Sequence, residues 1–305
     1  MAKRRNKGRD VDGILLLDKP QGLTSNEALQ RVKRLFQARK AGHTGSLDPL
    51  ATGMLPICFG EATKISSFLL NADKRYIAQC KLGVRTDSAD ADGEVIETRP
   101  IEGVTEQQIR RVLSEFMGEQ RQVPPMHSAI KQDGVPLYKL AHQGMEVERE
   151  ARSITIYRMD LIRFEKDILE LDISCSKGTY IRTLAEDIGK VLGCGAHIAA
   201  LRRLQVGVFE GAKMYTFEEL NKLLEQDVTA LDQSLLPIDA GLSDWTDVQL
   251  SADATFYLRR GQAVFVPGSK IGDYVRLYDP ARVFLGVGIV LDDGRVAPKR
   301  LMNLV

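Results

Sequence analysis

Hydrophobic positions alternate with polar ones, or follow one another directly, in several short stretches that predict β-strands. The clearest stretches are 13–17, 76–82 and 169–175, and the last of them alternates strictly. In the second stretch Tyr76 falls on the apolar face, so its ring is expected to point into the structure. The first strand should end near Pro20, because proline cannot extend the hydrogen-bond ladder.

Other stretches have the apolar spacing of helices. Thr24 and Glu27 form a capping box, and an apolar stripe follows them, which predicts a helix beginning at this point. Similar stripes predict helices over 62–70, 105–117 and 181–192. Because these helices and strands do not alternate strictly, the pattern favours an α+β fold for the main domain.

Two regions depart from this regularity. Residues 123–150 begin with two prolines and have no clean periodicity, so we predict a mobile insertion there, since long irregular stretches are usually functional or disordered. From about residue 251 onward, short β-like runs separated by glycines predict a small barrel. We therefore predict a basic arm over 1–10, a main domain over 11–240 that contains the insertion, and a C-terminal domain over 251–305.

Composition sets limits on the class of protein. The chain has 305 residues, of which 44% are hydrophobic and 27% charged, as expected of a globular protein with a full core. No apolar run approaches the roughly 20 residues that a membrane span needs, and the basic first ten residues lack a signal-peptide core. These features predict a cytoplasmic protein. The four cysteines form no CxxC pair and lie in apolar segments, which predicts reduced core residues.

The net charge is only +1, yet basic residues cluster. One cluster lies in the arm over 1–10, and another lies between Lys33 and Lys40. Any single cluster can be a solvated face balanced by carboxylates. Basic clusters near a candidate catalytic segment favour a polyanionic partner, whose binding should weaken steeply with salt.

The candidate catalytic segment, residues 41–56, surrounds one carboxylate with glycines and prolines. The glycines allow positive φ and close backbone approach, and the prolines fix their own φ, so Asp48 should lie in a rigid loop. A fixed carboxylate is typical of a nucleophile or a general base. The alternative is a side chain that caps an Asp-Pro turn. Only His43 and Asp48 in this segment could ligate a metal, and it contains no phosphate-binding motif.

Four motifs in order along the chain carry a family resemblance. They read LDKPQGLTS over 17–25, GHTGSLDPLATGMLP over 42–56, SKGTYIRT over 176–183 and LRRL over 201–204. Together they resemble the bacterial TruB family of tRNA pseudouridine synthases. The resemblance covers about 11–240 and extends more weakly into the C-terminal part, which is similar to a PUA-type RNA-binding module.

The resemblance implies a fold, a reaction and a partner. The fold would be the pseudouridine synthase fold, with a mixed, mainly antiparallel sheet and flanking helices. The reaction would convert uridine 55 in the T loop of tRNA to pseudouridine without metal or cofactor. The expected partner is the T stem-loop of tRNA, and the expected state is a monomer.

The resemblance also assigns catalytic roles. Asp48 would be the nucleophile, and attack on the base and attack on the sugar C1′ both remain open. Arg182 is expected to pair with Asp48 and to keep it ionised by lowering its pKa. Tyr76 would stack on the extruded base, and its phenol could help to move a proton. Without the resemblance, a surface arginine and a core tyrosine would be the ordinary interpretations.

Six further residues complete the predicted site. By resemblance, the substrate-binding residues are His43, Tyr180 and Leu201, and each also has an ordinary structural interpretation. Lys19 and Pro20 are expected to support the loop. Asp90 lies in an acidic turn whose calcium-loop pattern fails at Arg99, and it is a candidate to join the Arg182 network.

Two other functions are compatible with parts of this pattern. One is a non-catalytic protein that binds or refolds tRNA, and the other is a related synthase guided by a separate RNA. The intact set of Asp48, Tyr76 and Arg182 argues against binding as the sole function, because binding alone needs no buried carboxylate facing phosphates. The short chain, without obvious extra docking segments, disfavours the guided enzyme.

Overall fold

The computed structural model describes residues 8–128, 130–132, 134–141, 143–145, 147–266 and 270–303. Residues 1–7 of the predicted arm, positions 129, 133, 142 and 146 of the predicted insertion, and 267–269 and 304–305 of the C-terminal part lie outside this description. Across the described residues, no helix has the length and apolar character that crossing a membrane would require.

The strands are, in chain order, β1 (Gly13–Lys19), β2 (Ala41–His43), β3 (Thr52–Phe59), β4 (Lys74–Leu82), β5 (Val84–Thr86), β6 (Val95–Thr98), β7 (Gly118–Gln122), β8 (Lys131–Gln132), β9 (Val135–Pro136), β10 (Arg152–Glu165), β11 (Ile168–Cys175), β12 (Ala196–Val206), β13 (Thr246–Gln249), β14 (Val264–Phe265), β15 (Tyr274–Tyr278), β16 (Phe284–Val290) and β17 (Arg295–Leu301). The helices are α1 (Ser25–Leu35), α2 (Ser66–Leu70), α3 (Glu106–Glu115), α4 (Leu137–Ala141), α5 (Ile181–Leu192), α6 (Phe217–Leu224) and α7 (Ala252–Arg259). Short 3₁₀ turns cover Gly60–Lys64, Ala230–Ser234 and Ile238–Leu242.

The main sheet has the strand order β1-β3-β12-β4-β11-β10-β7, with β2 also paired to β3. Within it β12 runs parallel to β3, and the other pairs are antiparallel. A second, five-stranded sheet has the order β13-β15-β16-β17-β14. The predicted α+β fold with a mainly antiparallel sheet and a small C-terminal β-domain is therefore confirmed.

Local sequence explains the elements nearest the candidate site. In α1, the Thr24 hydroxyl accepts from the Glu27 amide at 3.1 Å, and the Glu27 carboxylate accepts from the Thr24 amide at 2.8 Å. This is the predicted capping box. In β4, alternate residues are buried, and Tyr76 is only 8% exposed, as its place in the alternation predicts. Helix α5 ends at Gly193, whose φ of +83° allows the left-handed turn.

The core lies on both faces of the main sheet. Successive residues of β1 pack into two different clusters, Leu15 with one and Leu16 with the other. The second cluster also contains Tyr278 and Val287 of the small sheet, so the two sheets share buried apolar contacts. All four cysteines are buried and free, which confirms the expectation of reduced core residues.

Two local predictions were wrong. The helix predicted over 62–70 is a 3₁₀ turn followed by the short helix α2, and hydroxyl groups explain the break. Thr63 donates to the Gly60 carbonyl at 2.7 Å, and Ser66 donates to the Thr63 carbonyl at 2.8 Å. The β-like region after residue 251 begins with α7, whose first turn is capped by the Ser251 side chain.

Gly53 marks a close approach between β3 and β12. Its φ is +96°, and a Cβ there would lie 2.2 Å from the carbonyl oxygen of Arg203. We expect Gly53→Ala to lower the free energy of unfolding by about 3 kcal/mol, from backbone strain and overpacking together.

The control for this prediction is Gly103→Ala, which carries the backbone strain without the clash. Gly103 has a φ of +89° and nothing within 4 Å of the added Cβ, and its replacement should cost about 1 kcal/mol. Urea denaturation of both variants measures the difference. Equal losses in the two variants would show that the close approach is unimportant.

Candidate active site

The loop between β2 and β3 carries Asp48, and its backbone is held on both sides of that residue. The Leu47 amide donates to Ser25 Oγ at 2.7 Å, and the same hydroxyl donates to the Leu47 carbonyl at 3.0 Å. After Asp48, the Pro49 carbonyl accepts from the Gly22 amide at 2.8 Å. Hydrogen bonds to Ser25 and Gly22 therefore fix the backbone on both sides of Asp48.

The Arg182 guanidinium binds the Asp48 carboxylate through two nitrogen donors. The distances are 2.9 Å from Nε to Oδ2 and 3.3 Å from Nη2 to Oδ1. The residue Arg182 is only 6% exposed, whereas the Asp48 side chain keeps 42% of its surface accessible. The carboxylate is therefore oriented from inside the protein and open to a substrate from outside.

The same guanidinium binds three more oxygen atoms. It donates to the carbonyls of Ser88 at 3.1 Å and His127 at 2.8 Å. It also lies 3.3 Å from Oδ2 of Asp90, which is buried in the turn after β5. Ser88 Oγ donates to the other oxygen of Asp90 at 2.6 Å. Two carboxylates thus share one cation, and the structure places Asp90 in the Arg182 network.

Burial shifts the pKa of Asp48. Loss of water raises the pKa of Asp48 above its ordinary value, the neighbouring Asp90 adds to this rise, and Arg182 opposes it. Arg182 thus lowers the pKa of Asp48 as expected, but desolvation is the larger effect, so the net shift is upward. The ionised carboxylate depends on the guanidinium, because water stabilises it less than it would on the surface.

Three aromatic and apolar residues of the predicted pocket lie on elements next to this pair. Tyr76 on β4 is buried, and burial raises the pKa of its phenol, so the ring stays neutral. Leu201 on β12 is 8% exposed and lies opposite Ala78 of β4. Tyr180 precedes α5, and both of its backbone polar groups bind the buried Gln122 side chain, at 2.8 and 3.1 Å.

His43 and Lys19 are the last residues of β2 and β1 in the main sheet. His43 on β2 is partly buried, and its Nδ1 has no hydrogen-bond partner among the residues described. Burial lowers the pKa of this imidazole, and the nearby Arg203 lowers it further. Lys19 is fully buried and donates to the carbonyls of Pro20 at 2.9 Å, Leu23 at 2.6 Å and Pro49 at 3.4 Å. Pro20 itself is exposed and supplies only its carbonyl.

Arg203 is a residue of this region that the sequence reasoning missed. It lies next to Arg202 in the LRRL motif, and the sequence assigned it no role. In β12 the two side chains point in opposite directions, as in any strand. Arg202 turns outward to the Asp18 carboxylate, with distances of 2.9 and 2.8 Å, whereas Arg203 is 1% exposed. Its place two residues after the buried Leu201 was the signal that could have revealed it.

The buried ammonium of Lys19 predicts a pH effect on stability. Burial lowers the pKa of Lys19 from 10.5 to about 8, so between these two values the unfolded chain holds more protons than the folded chain. Stability should therefore rise with pH across this window, by at most about 1.4 kcal/mol per pH unit. Over this range, we expect the free energy of unfolding of the unmodified chain to increase relative to that of Lys19→Met.

Urea denaturation at several pH values between about 8 and 10.5 tests this expectation. Lys74 has a pKa lowered to about 8 as well, and it is present in both proteins, so the difference between them isolates Lys19. A gap that stays constant with pH would contradict the expected titration.

Comparison with known proteins gives consistent matches along nearly the whole chain. Residues 33–181 match the model for the N-terminal domain of TruB family pseudouridylate synthases. Residues 182–243 match the tRNA pseudouridylate synthase B C-terminal domain, and 246–302 match the C-terminal model of pseudouridine synthase II TruB.

Two curated relatives are both named tRNA pseudouridine synthase B. The one from Nitrosococcus oceani is 56% identical over 300 residues, which cover 98% of this chain and 97% of the relative. The one from Serratia proteamaculans is 53% identical over 310 residues, covering 99% and 98%. Among solved structures, a chain of a Cbf5-Nop10-Gar1 complex has a TM-score of 0.75 at 26% identity, covering 95% of this chain and 84% of that one. A chain of an archaeal box H/ACA sRNP Nop10-Cbf5 complex has a TM-score of 0.71 at 25% identity, covering 96% and 86%.

Proposed function

This chain belongs to the TruB family of pseudouridylate synthases, and we propose that it converts uridine 55 in the T loop of tRNA to pseudouridine, with Asp48 as the nucleophile. The enzyme class, a pseudouridine synthase and therefore an isomerase, follows from the family. The names of the curated relatives support tRNA as the substrate. The choice of uridine and the role of each side chain are the proposal.

The observation that carries the proposal is the accessible carboxylate held by two donors of a buried guanidinium. The reaction breaks the bond between uracil N1 and ribose C1′, turns the base, and joins C5 to C1′. The hydrogen on C5 leaves to water, and N1 regains a proton. A carboxylate can form the covalent adduct, at the base or at C1′, and can leave again at the end. Arg182 orients Asp48 and balances its charge.

The surrounding residues have the properties that an extruded uridine needs. An unstacked base is held by aromatic and apolar surfaces, and Tyr76, Tyr180 and Leu201 supply these in our proposal. The Tyr76 phenol stays protonated and is available to exchange a proton in the later step. His43 is neutral and placed on the strand that leads into the loop, where we propose that it contacts the T loop.

Charge supports a polyanionic partner. Exposed basic residues lie in α1 and in the turn that leads into β2. They are Arg31, Arg34, Arg39 and Lys40. We propose that this side of the molecule meets phosphates of the T stem-loop, assisted by the basic arm over 1–10, by the insertion over 123–150, and by a PUA-type C-terminal domain. We further propose that the enzyme acts as a monomer in the cytoplasm, where its substrate is made.

The decisive experiment uses the purified full chain alone and an unmodified tRNA transcript. We expect pseudouridine to form at position 55, detected by chemical mapping, and to be absent from a matched transcript that carries cytidine there. Pseudouridine at another position would refute the site assignment. Tight binding without any pseudouridine would refute the proposed reaction and favour a tRNA-binding protein, and a requirement for added RNA would favour a guided enzyme.

A further inference from the structure

Arg203 is a buried cation that lacks a carboxylate partner within the described part of the chain. The residue is 1% exposed, and its guanidinium forms no ion pair with any carboxylate among the residues that the structure describes. Arg182 and Arg202, by contrast, both bind aspartates. An arginine cannot shed its proton, and burying an uncompensated charge costs several kcal/mol. Since apolar packing would be cheaper, the guanidinium is expected to serve a purpose other than stability.

The three donor nitrogens of Arg203 connect the sheet to the loop that bears Asp48. Nε donates to the Met54 carbonyl of β3 at 2.7 Å. Nη2 donates to the Gly45 carbonyl at 3.0 Å, and Nη1 donates to the Ser46 carbonyl at 3.4 Å. Gly45 and Ser46 directly precede Leu47 and Asp48. The guanidinium therefore fixes the start of the loop at Gly45 and Ser46, and Ser25 fixes the loop at Leu47.

The same guanidinium also reaches the aromatic residue of the site. Arg203 lies directly opposite Tyr76 in the pairing of β12 with β4, and both side chains are buried. Directly opposite residues on one face of an antiparallel pair have their Cβ atoms about 5 Å apart. The positive charge of Arg203 opposes the rise that burial causes in the pKa of Tyr76. One side chain thus binds the loop that carries the carboxylate and lies across the strand pair from the ring.

We infer that Arg203 is a positioning residue that holds the Asp48 loop and the Tyr76 ring in a fixed mutual arrangement. This inference rests on the proposed function, in which the carboxylate and the ring act on the same nucleoside. An error of about 1 Å in such an arrangement can reduce a rate by about 100-fold. A lysine keeps the charge of Arg203 but cannot bind carbonyls on two sides with a planar fork.

The test compares Arg203→Met and Arg203→Lys with the control Arg202→Met in the full chain. Arg202 is the adjacent residue on β12, but it points outward to Asp18. We expect the single-turnover rate of pseudouridine formation to fall about 100-fold in R203M and at least about 10-fold in R203K. The tRNA dissociation constant should stay within about threefold in all variants, and R202M should keep its rate.

A spectroscopic readout separates positioning from stability. In protein labelled with 3-fluorotyrosine, the ¹⁹F resonance that is lost in Tyr76→Phe identifies Tyr76. We expect this resonance to shift or broaden in R203M and R203K, and to be unchanged in R202M. Rates are measured at a temperature where circular dichroism shows each variant to be folded. If R203M does not fold, R203K alone is compared with R202M and the unmodified chain.

Two results would overturn the inference. One is a normal rate in R203K and R203M, and the other is an unchanged Tyr76 resonance in variants whose rate falls only as the folded fraction falls. The proposed function is tested separately by the unmodified enzyme. If that enzyme forms no pseudouridine, the proposed function fails; if it is active and Asp48→Asn is inactive while R203M is fully active, only the role of Arg203 fails.

Discussion

Replacement of Asp48 by asparagine is expected to abolish pseudouridine formation and to leave tRNA affinity within about threefold. The amide keeps the size of the carboxylate, and the loop bonds at Leu47 and Pro49 do not involve the side chain. An amide cannot form and release the covalent adduct that the reaction needs. Tritium release from tRNA with 5-labelled uridine measures turnover, and filter binding measures affinity.

A matched control for this variant is Asp87→Asn. Asp87 is exposed in the acidic turn, and its carboxylate accepts from the Glu94 amide at 2.9 Å, which an asparagine oxygen can also do. This variant makes the same change in charge and should retain full turnover. Normal tritium release by Asp48→Asn would rule out this carboxylate as the nucleophile.

Replacement of Arg182 by methionine is expected to reduce turnover by about 1,000-fold or more, because Asp48 loses both the donors that orient it. Stability should also fall by about 3 kcal/mol or more, since the buried Asp90 and two carbonyls lose their common donor. Arg182→Lys should recover little activity, because an ammonium cannot reproduce the two-donor contact. Single-turnover rates and urea denaturation give the two quantities.

Arg75→Met is the control for the loss of stability. Arg75 also binds an aspartate with two donors, at 2.9 and 2.7 Å to Asp172, on the same main sheet. Its removal should lower stability and leave the rate of the folded enzyme nearly unchanged. If Arg182→Met lost stability but kept its rate, the guanidinium would be a structural group and the proposed arrangement of the site would be wrong.

The sequence predicted those parts of the fold that depend on local periodicity. The face of β4 that buries Tyr76, the capping box of α1 and the glycine stop of α5 each follow from spacing within one element. The boundaries failed where local hydroxyl bonds compete with helical ones, as at Thr63 and Ser66. At the end of α5, the apolar Val191 is 52% exposed, whereas the adjacent Leu192 packs against the core.

The candidate site was partly predictable for a related reason. The motifs identified Asp48 and Arg182 because each lies in a short segment with a distinctive pattern. The contacts that were not predicted join distant parts of the chain, such as Arg182 with the His127 carbonyl and Arg203 with the Gly45 carbonyl. The pKa of Asp48 likewise depends on how deeply neighbouring elements bury it. No local pattern encodes these quantities.

The position of β12 in the main sheet has a consequence for how the enzyme matures. This strand separates β3 from β4, although both of those are made more than a hundred residues earlier during synthesis. The sheet cannot close until β12 inserts, and contacts of such large sequence separation form slowly. Arg203 and Leu201 arrive with that strand, so catalytic competence should appear only after β12 has joined the sheet, and a nascent chain that stops before β12 should have none.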